Sequence, residues 1–270
     1  MILPTRTGIK TYASSVSLIL GLLALLGTVP SEVGAAGKTY KDKDWNSAAQ
    51  ESCGLAVTSG SERSAAWVKV GDDRKMRMTL REGEVGKCST DAKARHGAPY
   101  WERSELRQDG YLSLGSAYRV QFETIFVEGF QGNRETFFQL HGWHGNCHAY
   151  PPLMMMFDKQ KLTVWALAGV SGDGITGNNR GEHRNVVNNS IPIAAVKGKT
   201  SSFVVDFDTR TNPGRLSISL NGKAVVKNAA VDFADCAQPY FKFGVYRPGG
   251  KGSKTSSALF DNITVEKLGN

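Results

Sequence analysis

Tyr240-Phe241-Lys242-Phe243-Gly244-Val245-Tyr246-Arg247 alternates between apolar and functional side chains along its length. Strand side chains point to opposite faces with a period of two. Phe241, Phe243 and Val245 therefore share one face, and Tyr240, Lys242, Gly244 and Tyr246 share the other. Arg103-Ser104-Glu105-Leu106-Arg107 repeats the pattern, with Arg103, Glu105 and Arg107 on one side. In Phe137-Phe138-Gln139-Leu140-His141, the period places Phe137, Gln139 and His141 together and turns Phe138 and Leu140 inward. If the three segments lie in one sheet, they form a groove lined by Arg, Glu, Gln, His, Lys and Tyr. Gly244 leaves room between Lys242 and Tyr246 for something to approach the backbone.

Outward from these segments the chain continues as short strands. Residues 75–80, 118–127, 153–157, 162–167, 202–208 and 258–266 are strand-like, and helical periodicity is nearly absent. Asp158-Lys159-Gln160 reads as a hairpin connection. Asn221-Gly222, between strands at 215–220 and 223–226, is the strongest short hairpin signal. Regularly spaced strands of this kind predict an all-β fold, a two-sheet β-sandwich (jelly roll), in a single domain. Residues 169–189 are polar, rich in Gly and Asn, and read as a long loop of the lid or binding kind.

The start of the chain reads differently. Arg6 and Lys10 precede an apolar stretch at 13–29, and Val33-Gly34-Ala35 supplies small residues where a signal peptidase cuts. The stretch is shorter than the roughly 20 apolar residues a spanning helix needs. A signal peptide at 1–36, a secreted domain at 37–270 and no stable membrane insertion are the expectations. The formal net charge of +8 points to a polyanionic partner. For an exported protein an acidic glycan fits better than nucleic acid, and a monomer is expected. Four cysteines in such a chain predict two disulfides with three possible pairings. Cys53–Cys88 with Cys147–Cys236 is favoured, because each joins segments flanking neighbouring strands.

Arg103–Arg107 (RSELR), Gln139–His141 (QLH) and Tyr240–Tyr246 (YFKFGVY) resemble, in order, the three motifs of the jelly-roll alginate lyases, R-x-E-L/V-R, Q-I/V-H and Y-F-K-x-G-x-Y-x-Q. The glucuronan and heparin-lyase-like jelly rolls share this architecture. The resemblance implies a lyase that cleaves a 1,4-linked uronic-acid polysaccharide by β-elimination. It implies that Gln139 and Arg103 bind the uronate carboxylate, and that His141 and Tyr246 handle the protons, Tyr246 donating to the leaving oxygen. Glu105, Arg107, Lys242, Tyr240, Arg247 and His144 are the expected substrate-binding residues. A tyrosine titrates near 10, so Tyr246 acting as a base needs cations to lower its pKa, and Arg103, Arg107, Lys242 and Arg247 are the candidates. The chain departs from the alginate pattern at Arg247-Pro248-Gly249, where a Gln is expected two residues past the tyrosine. That departure directs the substrate towards the glucuronan or heparin-like branch.

Two other functions compete. A glycoside hydrolase needs two carboxylates about 5–10 Å apart. Glu102 and Glu105 are three apart, which puts them on opposite faces of a strand, and no E-x-D-x-x-E strand is present. A non-catalytic carbohydrate-binding sandwich would use the same fold, but has no need of both the Gln-x-His and Lys-x-Gly-x-Tyr sets. His141, His144, Cys147 and His148 cluster in sequence, yet match no standard zinc spacing. Asp261-Asn262 before the last strand is a weak calcium signal or a turn. No cofactor and no metal site are expected.

Overall fold

Fifteen strands form two antiparallel sheets among the described residues. The computed structural model describes residues 38–39, 45–47, 65–70, 73–86, 88, 90–108, 110–144, 151–167, 183–233 and 237–269. These belong to one unit, Gly34–Asn270. The expected leader, Cys53, Cys147, His148 and Cys236, and residues 169–182 lie outside the described residues, and both disulfide pairings with them.

The first sheet runs in the order β13 (Lys223–Val231), β12 (Gly214–Leu220), β11 (Thr200–Asp208), β6 (Ala117–Phe126), β15 (Ser256–Leu268), β4 (Asp73–Leu80) and β3 (Ala65–Val70). The short β1 (Lys38–Thr39) pairs with the later part of β15. The second sheet runs β10 (His183–Asn185), β9 (Lys161–Leu167), β8 (Leu153–Asp158), β7 (Glu135–His144), β14 (Ala237–Pro248), β5 (Trp101–Gln108) and β2 (Trp45–Ser47). The fold is thus the two-sheet sandwich that the strand spacing predicts. The three motif strands are adjacent, with β14 between β7 and β5.

Phenylalanine fills the space between the sheets. Phe122 of β6 stacks on Phe138 of β7 at 5.4 Å and meets Phe243 of β14 edge-on at 4.8 Å. Phe260 of β15 packs against Phe243 at 5.6 Å. Each such aromatic pair adds about 0.5–1.5 kcal/mol beyond the burial itself. With its inner face committed to this core, the second sheet leaves its opposite face for the polar residues of the motifs.

The hairpin turns follow their residues. Asn221 and Gly222 both have positive φ, 50° and 74°, as a two-residue turn matching the strand twist demands. Lys159 and Gln160 adopt the same region at 47° and 65° without a glycine, closing the β8–β9 hairpin.

Three expectations need correction. Phe137 does not face the groove. It packs in the core against Phe126 and Phe157, because a register shift between Thr136 and Phe138 turns two successive residues inward. His183–Asn185, expected within the long loop, is the edge strand β10, paired with β9. Asp261-Asn262 lies inside the last strand, not before it, at another register shift. There Lys75 pairs with Asp261 at 2.6 Å and Asn262 takes φ 49°, which accounts for both residues.

Candidate active site

Uninterrupted pairing of β14 with β5 sets Lys242 opposite Arg107, Gly244 opposite Glu105 and Tyr246 opposite Arg103. On the other side of β14, Lys242 lies opposite Gln139, and Tyr240 opposite His141. These residues share the outer face of the second sheet, so the structure brings together Arg103, Glu105, Arg107, Gln139, His141, Tyr240, Lys242 and Tyr246. His144 ends β7, and its side chain is outside the described residues.

Glu105, fully buried, is the hub. Its carboxylate accepts Arg103 Nη1 at 2.5 Å on one oxygen and Gln139 Nε2 at 2.5 Å on the other. Arg103 is also held by Asp91, whose two oxygens accept Nε and Nη2 at 2.8 and 2.9 Å. Burial works against the Arg103 charge, but Glu105 and Asp91 more than offset it, and its pKa stands well above the ordinary guanidinium value.

The Tyr246 ring lies between two flat groups. Trp101 stacks on it at 4.9 Å, and the Arg103 guanidinium sits 3.9 Å from its centroid. Arg95 Nη2 donates to its hydroxyl at 2.5 Å. Burial pushes the phenol pKa above 10; Arg103 and Arg95 pull it down without prevailing, while Asp91 and Glu105 add to the rise. Arg103, one of the expected cations, thus acts in the expected direction, but burial leaves the pKa raised, and at neutral pH the hydroxyl keeps its proton.

At the other end of the row, His141 stacks on Tyr240 at 5.7 Å, with Tyr240 Oη 3.5 Å from Nδ1. Nδ1 also lies 2.9 Å from both the nitrogen and the carbonyl oxygen of Gly142, accepting from the first in one tautomer and donating to the second in the other. Arg107 and Lys242 flank Tyr240, at 5.1 and 5.8 Å from its ring centre. The imidazole and the phenol lie on the same sheet face as these cations.

Arg247, expected to bind substrate, does not line the groove. It is on the inner face, buried, and paired with Glu102 at 2.6 Å and Glu135 at 2.9 Å. Gly83 and Gly132 donate backbone N–H groups to these two carboxylates, each at 2.8 Å. Burial raises the Glu135 pKa, and Arg247 opposes the rise. The cluster ties β5, β7 and β14 together from behind.

Three site residues escaped the sequence reading. Trp101 has the parity of Arg103 and would emerge by extending that strand two residues backwards. Asp91 and Arg95 come from an irregular segment without periodicity, so no local pattern marks them. Further across the sheet, Trp165 of β9 stacks on His183 of β10 at 5.8 Å. Burial lowers the His183 pKa, against the bond to the Pro151 carbonyl. Among the described residues no group of three His, Cys, Asp or Glu is placed to hold a metal.

Residues 38–264 match the family described as "Polysaccharide lyase". Among solved structures, the alginate lyase A1-II', a member of polysaccharide lyase family-7, is 15% identical with a TM-score of 0.52, covering 78% of this chain and 86% of that one. The alginate lyase vAL-1 from Chlorella virus is 14% identical at a TM-score of 0.51, covering 76% and 89%. Alginate lyase AlyC3 is 15% identical at 0.50, covering 75% and 78%. At these identities the likeness is one of fold. No curated protein matches the chain.

Proposed function

This chain belongs to the polysaccharide lyase family, and from that premise we propose that it cleaves a 1,4-linked uronic-acid polysaccharide by β-elimination. One observation carries the reading: the phenol and imidazole share a single sheet face with a cluster that has an excess of positive charge. Arg95, Arg103, Arg107 and Lys242 are four cations, against the two carboxylates of Asp91 and Glu105. Such a site favours an anionic ligand.

The proton at C5 of a uronate is only weakly acidic while the adjoining carboxylate is ionised. Arg103 offsets the charge of that carboxylate and Gln139 hydrogen-bonds it, which stabilises the charge that develops there. His141 takes the C5 proton. The C4–O4 bond breaks, its electron pair leaves with O4, and the former C5–H pair becomes the C4=C5 double bond. Tyr246, protonated at rest, gives its hydrogen to O4. Lys242, Arg107 and Tyr240 contact the ring nearer His141. The apolar stretch and small residues at the start of the chain support export to the periplasm or beyond the cell.

A panel of alginate, glucuronan and heparin-like polymers, read by the ultraviolet absorbance of the unsaturated product, tests the activity. Alginate comes first because the structures compared above carry that name; Pro248, where the alginate pattern has Gln, keeps the others in the panel. Tyr246→Phe and His141→Ala are each expected to lower kcat by about 10²–10⁴-fold with the fold intact. Full activity in both variants would refute the assignment. Binding without unsaturated product would make the protein a carbohydrate-binding sandwich.

A further inference from the structure

We propose that Arg95 is a positioning residue for Tyr246, holding its hydroxyl oxygen and stabilising the phenolate left when the proton passes to O4. The inference rests on the reading of Tyr246 as proton donor. A guanidinium only donates hydrogen bonds. The 2.5 Å contact from Arg95 Nη2 therefore occupies a lone pair on Tyr246 Oη, and the hydroxyl hydrogen must point elsewhere. That geometry presents the hydrogen for transfer.

The Arg95 head group is fixed from several sides. Its guanidinium carbon is 4.6 Å from the Trp101 ring centre, and Nη2 also lies 3.4 Å from Asp91 Oδ1. Its backbone N–H and carbonyl exchange bonds with Ala98, both at 3.0 Å. Asp91 is the same carboxylate that grips Arg103 with both oxygens. One buried acid thus sets two guanidinium groups around the phenol, one over the ring and one at its oxygen. As Tyr246 releases its hydrogen, the bond from Arg95 becomes one between two ions. The bond is charge-assisted at rest through the guanidinium alone, and the attraction between opposite charges is added as the phenolate forms. The gain arises as charge develops, which is what lowers a barrier rather than tightening ground-state binding. The proton balance closes when the phenolate regains a hydrogen from solvent after the product leaves. Burial, which keeps the phenol protonated at rest, makes this support necessary in the step that follows.

Arg95→Met and Arg95→Lys in the full chain, with Tyr246→Phe as reference, test the inference. Labelling tyrosine with ¹³C at Cζ, and noting the resonance missing from Tyr246→Phe, identifies the Tyr246 signal without any substrate. That signal is expected to shift in Arg95→Met and to return part-way in Arg95→Lys. On the polymer that the panel identifies, kcat is expected to fall about 10²-fold in Arg95→Met with KM nearly unchanged. An unmoved resonance, or a rise in KM at constant kcat, overturns the role of Arg95 even where Tyr246→Phe is inactive. Full activity in Tyr246→Phe overturns the donor assignment instead. If Arg95→Met does not fold, Arg95→Lys alone decides through the same two readouts.

Discussion

A Cβ built on Gly244 would lie 2.1 Å from the Ser104 carbonyl oxygen and 2.6 Å from Glu105 Cα, in a backbone with φ of +151°. Both facts require glycine, and both concern the close approach of β14 to the backbone of Ser104 and Glu105. Gly244→Ala is expected to destabilise the protein by about 1–3 kcal/mol from backbone strain alone. It is also expected to cut kcat/KM by displacing Glu105 from Arg103 and Gln139. A denaturant melt and the product assay measure the two effects; unchanged values for both would mean that this contact does not organise the site. At this scale much was legible in the sequence, because period-two parity is a local property. It put Arg103, Glu105, Arg107, Tyr240, Lys242 and Tyr246 on one face. Carried one step further than the sequence reading took it, the same parity groups Arg247 with Phe243 and Val245, so its inward side chain agrees with the alternation and its expected substrate role does not.

Strands β5, β7 and β14 meet on their inner side at the Glu102–Arg247–Glu135 cluster. Arg247→Met would leave two buried carboxylates without their cation, an expected loss of about 3–5 kcal/mol. Glu135 has a folded-state pKa above its unfolded value, so its contribution is fully present below the unfolded carboxylate range and is lost as pH rises through the folded value. Removing Arg247 takes away the main opposing influence and enlarges that rise. The variant should therefore be penalised less in acid than at neutral pH. Melting temperatures across that range check this, and KM should stay at the wild-type value; a KM increase would return Arg247 to the groove. No strand-by-strand reading reveals the cluster, since it joins residues on three strands. The bulge at Phe137 was equally hidden, because parity assumes an uninterrupted register, which Thr136 and Phe138 break.

Across the whole molecule, the groove is built from two kinds of wall. One is a sheet backed by the phenylalanine core. The other is the segment at residues 90–100, where Asp91 and Ala98 are buried while Thr90, Ala92, Lys93, Ala94, His96, Gly97 and Pro99 are exposed. That segment holds Arg95 on Tyr246 and Asp91 on Arg103, and it lies outside the reach of any periodic pattern in the sequence. A stretch with so few buried contacts opens at a smaller free energy than the sandwich does. On warming, lyase activity is expected to disappear several degrees before the strand signal in circular dichroism. Coincident loss of both would mean that segment and sheets unfold as one. The consequence for Asp91 is practical. Its carboxylate helps to moor a largely exposed segment, so the working temperature of the enzyme is expected to be set there, and further strengthening of the phenylalanine core to leave that ceiling where it is.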